Sequence, residues 1–141
     1  MIVYMDTSVI LRRLLGEPDS LHPWGGWERV FTSVLTRVEY FRVIDRLRLE
    51  GKIDDVDRVA LQQCFSIFWQ TSYRVPLADS ILERAAQPFP TVVGSLDALH
   101  LTSALAVRAS GVNEMTVLTH DKQLGRAAAA VEFPVLGVNR V

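Results

Sequence analysis

Short apolar runs separated by segments of helical periodicity set the frame of this chain. Strand-like runs occur at Ile2–Met5, Val30–Phe31, Thr116–Thr119 and Val135–Val138, with a longer β-rich stretch at Phe65–Leu77. Strands that are apolar along nearly their whole length are buried on both faces, which places them in a mostly parallel sheet. Parallel neighbours need long crossovers, and helices covering both faces supply them. The expected fold is therefore α/β, a three-layer sandwich with a mostly parallel central sheet flanked by helices.

Capping and stop signals place those helices. Asp6, Thr7 or Ser8 caps a helix from about Val9 to Gly16-Glu17-Pro18. Val30–Phe31 reads as a short edge strand, after which Thr32 or Ser33 caps a helix to about Glu50, stopped by Gly51. Asp54 or Asp55 caps the next helix, through about Gln63, and Asp79-Ser80 starts one through about Gln87. Ser95 caps a long helix from Leu96 to about Ala109, stopped at Gly111, and Asp121 caps the helix Lys122–Ala130.

The 141 residues fit one domain over 1–141, able to bury roughly 70% of its unfolded surface without a disulfide or structural metal. Cys64 is the only cysteine, so no intramolecular disulfide framework exists. No apolar run approaches a membrane span, and the start lacks the basic region and cleavage site of a signal peptide. A cytoplasmic location with no membrane partner is expected. A net charge of -1 argues against bulk electrostatic grip on nucleic acid, though not against a local basic rim around an acidic centre.

Four carboxylates occupy unusual positions. Asp6 directly follows an apolar strand; taken alone, a helix cap worth about 1 kcal/mol explains it. Glu39 lies mid-helix in SVLTRVEYFRVIDRL, with Leu35 and Val43 one turn away and Val38 adjacent, so its face is expected to turn inward. A carboxylate there loses hydration unless compensated, and pairing with Arg42 at i+3 is the local alternative. Asp97 stands in a helix's first turn, where the dipole favours it, with Leu101 and small Ala104 on the same face. His100, at i+3 from Asp97, reads as a hydrogen-bonded structural residue. Asp121 follows the strand ending in Thr119, and Thr119 points to the same side if strand alternation persists.

Ligands of open α/β sheets sit beyond the carboxyl ends of strands, where Asp6 and Asp121 both fall. Should the four acids converge, their repulsion raises some pKa values or pushes the site apart, and a hard divalent cation removes the conflict.

The ordered segments YMDTSVI, TSVLTRVEYFRV, SLDALHLTSA and VLTHDKQL resemble the PIN-domain ribonucleases, and specifically the VapC toxins of bacterial and archaeal toxin–antitoxin pairs. The resemblance spans nearly the whole chain. It implies that Asp6, Glu39, Asp97 and Asp121 form an acidic metal-binding and catalytic quartet, supported by the polar Ser8 and Thr119. It also implies Mg²⁺-dependent endonucleolytic cleavage of RNA by a metal-activated water, with Mn²⁺ as a possible substitute. Its further implications are a homodimer and a VapB-like antitoxin that inserts a basic side chain among the acids. Two alternatives stand beside the toxin reading: a PIN nuclease serving RNA processing or decay, and a non-catalytic binding module whose acids only cap helices. A phosphatase of the haloacid dehalogenase type is set aside because Asp6-Thr7-Ser8 lacks its Asp-x-Asp.

Other features have plainer readings. Arg12, Arg13, Arg42 and Arg46 are candidates for RNA phosphates or for pairing with local acids. Trp24 and Trp27 flank Gly25-Gly26 and are expected to pack over the core, although stacking on bases or holding a partner is open to them. Asp54, Asp55 and Asp57 suit a helix's first turn rather than a metal. Phe65, Phe68 and Trp69 are assigned to the core or a dimer contact.

Overall fold

A computed structural model describes residues 1–138, so residues 139–141 of the expected domain lie outside the described residues. The elements run β1 (Ile2–Met5), α1 (Thr7–Leu14), β2 (Arg29–Ser33), α2 (Leu35–Leu49), α3 (Asp55–Thr71), β3 (Tyr73–Val75), α4 (Asp79–Ala85), α5 (Ser95–Ala109), β4 (Met115–Leu118), α6 (Lys122–Ala130) and β5 (Val135–Leu136). The strands form one sheet in the order β3-β2-β1-β4-β5, and every pairing is parallel.

Period-two alternation along the central strand divides the core. Tyr4 joins Leu101, Ala104 and Val107 of α5 and Leu124, Ala127 and Ala128 of α6 on one face. Val3 and Met5 join Val9 and Ile10 of α1, Tyr40 and Ile44 of α2, and Phe65 of α3 on the other. Helices therefore cover both sides of an apolar parallel sheet, the three-layer arrangement that such strands require. Among the described residues no helix is long and apolar enough to cross a membrane.

Three expectations need correction. The run at Val30–Phe31 is not an edge strand: it extends over Arg29–Ser33 and lies between β1 and β3. Thr32 makes this interior position possible, because its buried hydroxyl donates to the Met5 carbonyl at 2.8 Å and accepts from Thr36 at 2.7 Å. The stretch read as β-rich from Phe65 is helical to Thr71, and only Tyr73–Val75 is strand. Phe65, Phe68 and Trp69 share a helical face, where Phe65 stacks on Tyr40 and Trp69 at centroid distances of 4.4 and 5.3 Å. Val38 does not turn inward but is 59% exposed; the buried stripe of α2 is Thr36, Tyr40 and Ile44, with Glu39 at its margin.

Other local readings match the structure. Asp54 closes a capping box with Asp57, and Gly51 takes a left-handed φ of 71° after α2. Trp24 and Trp27 meet edge to face at 5.0 Å and pack, partly buried, against the α1–α3 side of the core.

Candidate active site

The strand order reverses beside β1: the chain moves outward through β2 and β3, then returns to place β4 on the other side. Such a switch point leaves a crevice at the carboxyl ends of the two strands. Asp6 leaves β1 there, and its backbone N–H still bonds the Leu118 carbonyl at the end of β4, at 3.1 Å. The Asp6 carboxylate caps α1 by accepting from the Ser8 amide at 2.5 Å, and its second oxygen accepts from the Thr119 hydroxyl. Asp6 is thus both the cap expected locally and a buried group facing the crevice, 4% exposed.

Thr119 links the two strand ends. Its hydroxyl donates to Asp6 and accepts from the Asp121 amide at 3.0 Å. Asp121 caps α6 through one oxygen, which accepts from the Leu124 amide at 3.0 Å. The Ser8 hydroxyl accepts from the His120 amide at 3.0 Å, tying the start of α1 to the same loop. His120 Nδ1 in turn donates to the Gly137 carbonyl at 2.7 Å.

Glu39 and Asp97 arrive from opposite faces of the sheet, on α2 and in the first turn of α5. Glu39 does not pair with Arg42, which instead meets Asp45 at 3.3 Å. Its Oε1 accepts from the Thr7 hydroxyl at 2.7 Å and lies 2.6 Å from His100 Nε2. Burial alone raises the Glu39 pKa, but the His100 and Thr7 contacts outweigh it and hold the group below its ordinary value. Burial likewise opposes the His100 cation, yet the Glu39 bond and the surrounding carboxylates raise its pKa. Asp97 has no hydrogen-bond partner among the described residues. Burial, then the charges of Asp121 and Asp6, push its pKa up to about 6, with His100 partly offsetting them.

The result is a cleft of about 200 Å³ lined by Asp6, Thr7, Ser8, Leu11, Glu39, Val43, Asp97, His100 and Asp121. All four carboxylates expected from the sequence face it. Ser8 lines it beside them, and Thr119, fully buried, stands behind Asp6. The sequence did not assign Thr7 or His100 to the site, although His100 is hydrogen-bonded as expected. The DTS run and the one-turn spacing of Asp97 and His100 were the available signals. A larger hollow of about 710 Å³ between α6 and β5 carries no carboxylate among its described lining residues.

The donor set is all oxygen, which suits Mg²⁺ or Mn²⁺ rather than zinc. Among the described residues no three acidic, histidine or cysteine side chains stand close enough together to hold one ion as they are. Mg²⁺ keeps several waters and takes one or two carboxylates directly, so it does not require three such side chains at one point.

The PIN domain family model matches residues 3–130. The chain is also 30% identical to Ribonuclease VapC47 of Mycobacterium tuberculosis (strain CDC 1551 / Oshkosh), over 94% of this chain and 93% of that protein. The chain belongs to the PIN-domain family, among its VapC members. This PIN domain also shares its fold with solved structures at low identity. One is VapBC2 from Rickettsia felis bound to a DNA fragment from its promoter, at TM-score 0.63 and 14% identity, over 96% of this chain and 98% of that one. Another is PAE2754 from Pyrobaculum aerophilum, at TM-score 0.57 and 16% identity, over 92% and 87% of the two chains.

Proposed function

We propose that this PIN domain is a Mg²⁺-dependent endoribonuclease, the toxin of a VapBC-type toxin–antitoxin pair. The observation that carries the reading is the meeting of Asp6, Glu39, Asp97 and Asp121 in one cleft at the β1/β4 switch point. Likeness to a protein named as a VapC ribonuclease supports RNA as the substrate. Burial and the neighbouring charges of Asp121 and Asp6 raise the pKa of Asp97 to about 6, and a cation in the cleft would offset that repulsion.

Asp6 and Asp97 would hold the cation directly, and Glu39 and Asp121 would bind it directly or through water. A bound divalent cation supplies charge neutralisation at the scissile phosphate and a more acidic water. The Ser8 amide and Thr119 hydroxyl fix the Asp6 carboxylate, leaving each of its oxygens a lone pair toward the cleft. Glu39 Oε2 and Asp121 Oδ2 have no hydrogen-bond partner among the described residues, and one of them takes the proton of the attacking water. Attack in line breaks the bond from phosphorus to the departing 3′ oxygen, which takes a proton from solvent, and gives a 5′ phosphate and a 3′ hydroxyl. No RNA 2′-OH and no protein nucleophile takes part. A homodimer, a VapB-like antitoxin that places a cation among the acids, a cytoplasmic location and a single domain over residues 1–141 belong to the same proposal.

Purified full chain incubated with pooled cellular RNA tests it. Cleavage with 5′-phosphate ends is expected in Mg²⁺ or Mn²⁺, with none in EDTA or in Asp6→Asn of unchanged circular dichroism. Cleavage that survives EDTA or Asp6→Asn overturns the metal-dependent mechanism. Induced expression should arrest growth in the wild type and not in Asp6→Asn. Cleavage in vitro without growth arrest would transfer the chain to RNA processing or decay.

A further inference from the structure

Glu39 ends a buried chain of polar side chains that lies outside the carboxylate quartet. The Tyr4 hydroxyl lies 2.9 Å from His100 Nδ1, and His100 Nε2 lies 2.6 Å from Glu39 Oε1. The Thr7 hydroxyl donates to that same oxygen at 2.7 Å. Tyr4 and His100 are 1% and 2% exposed, and their rings meet edge to face at 6.0 Å. Both therefore sit in fixed rotamers inside the packed layer between the sheet and α5. Glu39 stands at the margin of the buried stripe of α2, where apolar packing alone does not orient a long carboxylate. The polar chain contacts only Oε1; Oε2 has no hydrogen-bond partner among the described residues.

We propose that His100, braced by Tyr4, is the positioning residue for Glu39, pinning Oε1 so that Oε2 faces the cation taken up by the acid cleft. This rests on the nuclease reading above. His100 follows Asp97 by three residues on α5, so one helical turn carries one acid of the cleft and the group that orients another from α2. The first turn of α5 thereby sets the spacing between Asp97 and Glu39. Partners behind a metal-binding carboxylate act on affinity, and their loss weakens binding by about 10–100-fold.

Calorimetric titration of the full chain with Mn²⁺ alone reads this without RNA hydrolysis. His100→Ala should weaken Mn²⁺ binding by about 10–100-fold while the circular dichroism stays that of the wild type. A glutamine amide nitrogen reaches about as far as Nε2, whereas that of asparagine reaches only as far as Nδ1. His100→Gln should therefore restore most of the affinity and His100→Asn should not, a distinction that simple core filling does not make. In a Glu39→Gln background, His100→Asn should add no further loss. Wild-type affinity in His100→Ala, or equal rescue by Asn and Gln, overturns the assignment. If His100→Ala does not fold, His100→Asn and Tyr4→Phe carry the test, and wild-type affinity in both overturns it. A wild-type chain that neither binds Mn²⁺ nor cleaves RNA sinks the nuclease reading and this inference together. Binding that is unaffected by the variants sinks only this inference.

Discussion

Asp97 bears the cost of its burial and of the acids gathered beside it. Its ordinary pKa is 3.8 and its value in the fold is about 6, so between those values the native state keeps a proton that the unfolded chain has lost. Native stability therefore falls as pH rises through that window, and the full cost stands above it. Asp97→Asn should raise Tm near pH 8 in metal-free buffer and lose its advantage as pH falls to about 4, measured by thermal melts across the range. Thr119 is the complementary case, a buried hydroxyl serving two acids at once. Thr119→Val keeps the shape but strands the Asp121 amide and releases Asp6. A loss of about 1–3 kcal/mol in urea denaturation is expected, with a fall in Mg²⁺-dependent cleavage, and Thr119→Ser should recover both. The four carboxylates were legible because two follow recognisable strand ends, one opens a helix and one interrupts an apolar helical face. Thr7 and the partner of His100 were not, since an imidazole's partner across the sheet leaves no mark on its own helix. Arg42 misled for a related reason: Glu39 and Asp45 both lie three residues away, and only the fold decides between them.

Element boundaries followed capping chemistry where a cap existed and failed where packing set the state. Asp54, Asp6 and Asp121 mark helix starts through side-chain bonds to the backbone. Nothing local marks the end of α3, because Phe65, Phe68 and Trp69 suit strand or helix until Tyr40 supplies an aromatic surface to stack on. Phe65→Ala should cost about 3–5 kcal/mol in chemical denaturation, the range for a fully buried ring. The same limit hid the interior position of β2: Thr32 and Ser33 read as cap residues, and Ser33 does accept from the Leu35 amide at 3.0 Å, but both are fully buried at the end of a central strand. Gly137 shows an element end acting on the site. Its φ is +103°, and an added Cβ would run into the Thr119 carbonyl, which belongs to the loop holding Asp6 and Asp121. Gly137→Ala should reduce both stability and cleavage. Gly111→Ala, at φ +113° with open space around it, should reduce stability alone. Paired denaturation and cleavage assays separate the two outcomes.

At the scale of the molecule, sheet order turns scattered acids into one site. Parallel pairing was legible from strands apolar along their length, but the order β3-β2-β1-β4-β5 was not, because it depends on which face each crossover helix covers. Once β4 lies beside β1, Asp6 and Asp121 are neighbours, and α2 and α5 bring Glu39 and Asp97 in from opposite layers. In the proposed reading a cation bound there would tie both layers to the sheet and so would bind the native state and not the unfolded chain. At about 100 times its dissociation constant, Mg²⁺ or Mn²⁺ should stabilise the fold by about 2.7 kcal/mol. For a chain of this length that is a rise in Tm of about 5–11 °C. Protons compete for Asp97, so the rise should shrink when the pH is lowered from about 8 to about 5, below the Asp97 value. Asp6→Asn should abolish it at both pH values, since the residue sits where the two layers and the sheet converge. Thermal melts with and without cation check all three outcomes. A pH-independent rise that survives Asp6→Asn would mean the cation binds elsewhere and that the four acids do not share it.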